Sequence, residues 1–143
     1  MSARFGSPLF LPHKLPPGFV FSHWAYRAHD PNIDDRASLF LTYGRSGYIL
    51  EWGVYSGIDK LGLDCPTKAN KRFPRNKPFV VVDGVPIYLI VGIHGGSVWR
   101  CILPQAVGNA NPVEVAVWYS IQLDSPRMRR TLAELVASPR LVR

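Results

Sequence analysis

Val113, Val115, Val117, Tyr119 and Ile121 place an apolar side chain at every second position through VEVAVWYSI, and this alternation constrains the fold more than any other feature of the chain. A period of two sends successive side chains to opposite faces of an extended backbone, so the segment reads as a strand with one face on a core. Several neighbours repeat the pattern. GFVFSHWAYRA sets Phe19 and Phe21 and then, after a slip of phase, Trp24 and Tyr26 among β-branched and aromatic residues. ASLFLTYGRSGYILEWGV divides at Gly44-Arg45-Ser46-Gly47, with Leu39, Leu41 and Tyr43 alternating before the break and Tyr48, Leu50 and Trp52 after it, which is a hairpin. Asp83-Gly84 marks a second turn, between Phe79–Val82 and Val85–Ile93. His94-Gly95-Gly96 reads as a third, its glycines supplying positive φ before a strand over Ser97–Leu103.

One helix stands against these strands, and it comes last. Ser125 is a favourable N-cap, Pro126 fits the first helical position where its missing amide costs nothing, and Pro139 ends the run. Met128, Leu132, Leu135 and Val136 share one face, with Arg129, Arg130 and Glu134 on others. An apolar stripe of that kind needs a surface to cover. The expected fold is therefore α+β: a curved, mostly antiparallel sheet of about seven strands with one C-terminal amphipathic helix packed on it.

At 143 residues the chain holds one core. Residues 1–17 are Pro-rich and aperiodic and read as an extended lead-in, leaving a single domain over 18–139. Pro8, Pro12, Pro16 and Pro17 interrupt every apolar run that would make a signal peptide, and no stretch is long enough for a transmembrane helix. The sequence as it stands reads as cytoplasmic, or as extracytoplasmic if it belongs to a longer exported polypeptide. Cys65 and Cys101 are too far apart for a zinc knuckle or a C-x-x-C pair and read as two free thiols, with a disulfide between them in an oxidising compartment as the alternative.

Seventeen Lys and Arg against ten Asp and Glu leave a net charge of +7, which favours anionic partners: acidic protein surfaces, phospholipid headgroups or, as a weaker expectation, nucleic acid. The marked charge block is KANKRFPRNK, with Lys68, Lys71, Arg72, Arg75 and Lys77 and no acid among them. These five residues are the candidate anionic-partner site, in an aperiodic connection over 57–78 whose length points to a loop that is either functional or mobile.

Enzymatic chemistry finds little footing. The HGG of residues 94–96 matches the oxyanion loop of lipases and esterases, but that chemistry requires a G-x-S-x-G elbow between strand and helix, and the chain has none. His13, His23, His29 and His94 offer no ligand spacing, so no metal and no cofactor is expected. Asp30, Asp34 and Asp35 sit in a polar turn, which leaves Glu51 and Glu114 as the other carboxylates weighed for acid–base work. No catalytic residue is assigned. A small hydrolase around His94 and Ser97 is the remaining enzymatic alternative.

LPPGF opening the first strand, LFLTYG followed by YILEWGV, the basic loop, VDGVPIYLIV and the closing RMRRTLAELVAS occur in an order that resembles an uncharacterised bacterial domain. That domain lies at the extracytoplasmic end of anti-sigma-factor-like membrane proteins and is similar to sensor domains of the lipoprotein-carrier fold. The resemblance, over about residues 15–138, implies a curved antiparallel sheet and a ligand- or partner-binding sensor with no chemistry of its own. The stretch PQAVGNANPVEV departs from it in being longer and less regular. The expected function is a non-enzymatic binding or sensing module using a sheet face and the basic loop, with nucleic-acid binding through 68–77 as the rival. Reversing Lys71, Arg72 and Arg75 to Glu together is expected to weaken binding to an anionic partner while the melting temperature stays nearly constant. Binding that survives the change removes the loop from that role.

Overall fold

The computed structural model describes residues 9–27, 35–58, 77–102 and 113–142. The described residues hold nine strands: β1 (Leu9–Leu11), β2 (Val20–Arg27), β3 (Asp35–Arg45), β4 (Tyr48–Ile58), β5 (Val80–Val82), β6 (Val85–Val91), β7 (Gly95–Ile102), β8 (Val113–Ser120) and β9 (Arg140–Val142). Seven form one antiparallel sheet in the order β2-β3-β4-β8-β7-β6-β5, and β1 pairs with β9 in a separate two-stranded ribbon. A 3₁₀ turn at Ile121–Leu123 leads into the helix α1 (Pro126–Ala137). The α+β architecture expected from the alternating segments and the single terminal helix is the architecture observed.

Turn chemistry sets the register. Ser46 and Gly47 both have positive φ (48° and 83°), as do Asp83 and Gly84 (50° and 80°), the combination that a two-residue hairpin turn matched to strand twist demands. Tyr43 therefore faces Leu50, and Leu41 faces Trp52. The phase slip in the first long strand is a β-bulge: the register shifts between Phe21 and His23, so that Phe21 pairs with Tyr43 and Trp24 with Leu41. The third turn differs from expectation. Neither Gly95 nor Gly96 has positive φ; Gly92 N–H donates to Gly95 O at 2.9 Å, Ile93 and His94 form the tip, and both glycines already belong to β7.

Register divides the sheet into two faces. Leu39, Leu41, Leu50, Trp52, Val54, Val98, Val113, Val115 and Val117 point to the side that α1 covers, and all are buried. From the helix, Leu132, Ala133, Leu135, Val136 and Ala137 close this core, with Met128 packed against its rim. The segment read as a lead-in contributes as well. Phe10 and Phe19 are buried, the Trp52 indole Nε1 donates to Phe10 O at 2.9 Å, and Arg45 lies over the Phe19 ring and donates to Pro17 O at 2.8 Å. Trp24, in contrast, is half exposed, because α1 lies over β5 to β8 and does not reach β2.

Both ends of α1 are fastened to the sheet. At its start Ser125 Oγ accepts from Met128 N at 3.0 Å, the cap read from the sequence. Just before it, the Asp124 carboxylate accepts from Tyr119 Oη (2.7 Å) and from Arg129 Nε and Nη2 (2.8 and 2.7 Å), tying the helix to the end of β8. At the other end the Arg100 guanidinium of β7 donates to Ala137 O at 2.9 Å, placing a cation where the helix dipole is negative. Burial lowers the Arg100 pKa. Cys101, beside it on β7, is disulfide-bonded, which corrects the expectation of free thiols. Spacing along the chain carries no information on which distant segment a strand meets. Cys65, the other cysteine, lies outside the described residues.

The Asp124 clamp makes a pH prediction. Hydrogen bonds from Arg129 and Tyr119 lower the Asp124 pKa from 3.8 to about 2, so its contribution to stability is complete above 3.8 and is lost as the pH falls through about 2. Burial and the bond to Asp124 push the Tyr119 phenol from 10.0 up to about 12, so this contribution holds below 10.0 and fades at more alkaline pH. Asp124→Asn is expected to cost about 1–2 kcal/mol at neutral pH. Urea melts from neutral pH down to acid should show the difference from wild type shrinking over the acid window; a constant gap would refute the clamp.

Candidate functional site

The sheet face without the helix carries a different set of side chains. Along it run Phe40, Gly53, Ala116, Trp99 and Tyr88, one from each successive strand β3, β4, β8, β7 and β6. Gly53 and Ala116 are small and buried at the centre, and aromatics pack around them. Phe40, Tyr55 and Trp118 meet edge to face or tilted, with ring centroids 5.5–6.2 Å apart, while Tyr88 and Trp99 stack at 4.6 Å. Gly53 is a steric requirement here, because a Cβ on it would stand 2.6 Å from Trp118 Cζ3. The absent side chain lets the indole settle onto the sheet.

Beside Trp118, toward the β3–β4 and β6–β7 turns, this face opens into a recess of about 650 Å³. Ile49, Ile90 and Trp118 give it apolar walls, and Glu51, His94 and Ser97 give it polar groups. Ser120 also lines it and has a buried hydroxyl with no hydrogen-bond partner. Pairing of Glu51 with Trp118, and of Trp118 with Ser97, puts those three side chains in one row across adjacent strands. Neighbouring strands are about 4.8 Å apart, so the carboxylate, indole and hydroxyl side chains occupy a span of about 10 Å. Their backbone is ladder rather than loop, so the recess exists before any ligand arrives.

The glycines that looked like turn residues shape the recess instead. A methyl on Gly96 would overlap the phenol of its cross-strand partner Tyr119 on the helix-covered face, and one on Gly95 would overlap the Tyr119 carbonyl. They are small because Tyr119 must cross the strand to reach Asp124.

The anionic-partner residues Lys68, Lys71, Arg72 and Arg75 lie outside the described residues. Lys77, the fifth, is exposed shortly before β5. His94 and Ser97 do come together at the recess, but no hydrogen bond joins them, and among the described residues no third group holds the imidazole. Of the carboxylates, Glu51 lines the recess, whereas buried Glu114 stands opposite Tyr55, four residues along β4 from Glu51. At about 3.3 Å per residue this puts the two about 13 Å apart, beyond the reach of a paired acid and base. Among the described residues no group of three His, Cys, Asp or Glu side chains is placed to hold a metal ion. Trp118 and Ser120 fall on the face opposite the alternating Val113, Val115 and Val117 and were not singled out; the only trace of the recess in the sequence was GIHGGS, read as a turn.

Gly96→Ala tests the packing of Tyr119 across β7. It is expected to displace the phenol, break its bond to Asp124 and cost about 1–3 kcal/mol, read as a lowered melting temperature. An unshifted melt would mean the phenol does not rest on Gly96.

No protein-family model matches the chain, and no match to it is found among curated proteins or solved structures. The recess is therefore interpreted from its own residues.

Proposed function

We propose that this protein is a non-enzymatic binding module whose helix-free sheet face takes a small ligand in the recess beside Trp118. The observation that carries the reading is the combination of a half-buried indole wedged over Gly53 with a buried, unpartnered Ser120 hydroxyl in the wall of the same open recess. A planar or apolar ligand face packs on the indole and on Ile49 and Ile90, while donor groups find Glu51 and the Ser97 hydroxyl. Glu51 is the one carboxylate lining the recess among the described residues, so it favours a ligand with hydroxyl or amine donors over an anionic one.

The lack of a hydrogen bond between His94 and Ser97, and the distance between Glu51 and Glu114, weigh against a hydrolase. In this reading the basic block serves a second role, docking an anionic partner, with Lys77 as its described member. The resemblance to extracytoplasmic sensor domains points toward the same class, and the disulfide at Cys101 supports an oxidising compartment.

A fragment screen followed by amide and indole NMR shifts tests the proposal. Hits carrying a planar ring and donor groups are expected to move the Trp118 indole N–H and the Ser97 and Ser120 amides. Glu51→Gln and Trp118→Leu should each weaken them about tenfold. Hits that map elsewhere, or that ignore both substitutions, defeat the reading.

A further inference from the structure

The end of the sheet that holds the recess also gathers exposed apolar side chains. Ile93, at the tip of the β6–β7 turn, is 84% exposed, and Ile90 on the same hairpin is 52% exposed. On the β3–β4 hairpin Tyr48 is 40% and Ile49 53% exposed, and Val20, at the start of edge strand β2 opposite Gly44, is 68% exposed. Only β8 separates the two hairpins in the sheet, so their tips stand about 14 Å apart. The strand ends at residues 27, 35, 58, 102 and 113 lie at the opposite end, so the apolar tips are segregated to one pole.

The charges at this pole have one sign to spare. Arg127, exposed in the first turn of α1, has no hydrogen-bond or ion-pair partner among the described residues, and Arg45 at the β3–β4 turn meets only neutral groups, Pro17 O and the Phe19 ring. Of the acids nearby, Asp124 is neutralised by Arg129 at 2.7 Å, and Glu51 sits back in the recess. The whole chain carries +7. Apolar groups on projecting turns, an interfacial tyrosine and a flanking cation suit a deformable medium, which takes them up without a matching cavity.

We propose that this pole docks the domain on an anionic lipid bilayer, with Ile93 and the neighbouring apolar tips entering the headgroup layer and Arg127 facing the lipid phosphates. The proposal goes beyond the ligand reading and does not depend on it, because Ile93 and Val20 do not line the recess. Bilayer docking would hold the recess mouth close to the membrane surface.

Vesicle flotation with the full chain tests this, using phosphatidylcholine vesicles with and without phosphatidylserine. Wild-type protein is expected to float with the phosphatidylserine vesicles, and less so without that lipid or in high salt. Ile93→Ser and Val20→Ser, both at exposed positions, should leave the melting temperature unchanged. Ile93→Ser should lower the partition coefficient about tenfold, and the pair together further, with recess-ligand affinity retained. Wild-type protein that stays unbound, or Ile93→Ser that floats like wild type, overturns the proposal. So does light scattering that shows a dimer abolished by Ile93→Ser, since the tips would then be mating with a second copy.

Discussion

Everything else in the fold depends on one contact, the apolar stripe of α1 against a single face of the antiparallel sheet. Leu132, Ala133 and Val136 are fully buried there, and the strands beneath present Val98, Val113, Val115 and Val117. Each large aliphatic side chain taken out of water contributes roughly 1.5–3 kcal/mol, so this layer is the largest favourable term available to a chain of this size. Direction and position come from polar contacts at the two helix ends. The Asp124 carboxylate joins β8 to the first turn, and the Arg100 guanidinium joins β7 to the last carbonyls. Between these ties the helix has little freedom to slide.

Because the helix takes one face, the other is left to aromatics, and this separation explains why the recess lies where it does. Tyr119 and Trp118 are neighbours in sequence and opposite in fate. Tyr119 turns under the helix to the clamp, while Trp118 turns outward over Gly53 to wall the recess. A substitution at either would be felt on both faces through the shared β8 backbone. Small residues make the arrangement possible on each side, Gly96 beneath the phenol and Gly53 beneath the indole.

Much of the fold was legible in the sequence, and the reasons differ between elements. The strict alternation of 113–121, the Ser46-Gly47 and Asp83-Gly84 turns and the Ser125-Pro126 helix start are local physics, set by neighbouring residues. The bulge in β2 was visible as a break in phase. Other features depended on partners distant in the chain. The Phe10 carbonyl is bound by an indole 42 residues away, Arg100 finds a helix end 37 residues on, and Cys101 is bridged, and none of these leaves a local pattern. Gly95 and Gly96 were read as conformational requirements when the actual demand was space. For the site, GIHGGS was read as a turn, and alternation set Trp118 on the face opposite Val113, Val115 and Val117 without saying which face a helix would claim. The basic block dominated the sequence reading through its composition, yet the recess rests on Glu51, Ser97, Trp118 and Ser120, which no charge count singles out.

The ribbon of β1 and β9 couples residues near the two ends of the described chain: Leu9 faces Val142, and Leu11 faces Arg140. Tension applied through both ends would load this ribbon at the Leu9–Val142 pair first and peel it one rung at a time, instead of shearing all its rungs together. Phe10 would leave the core as the ribbon opened, and the Trp52 indole would lose its acceptor. The domain is thus built to yield at a seam next to its own hydrophobic centre, so a modest pull on its ends would reach the packing beneath α1 without first dismantling the seven-stranded sheet.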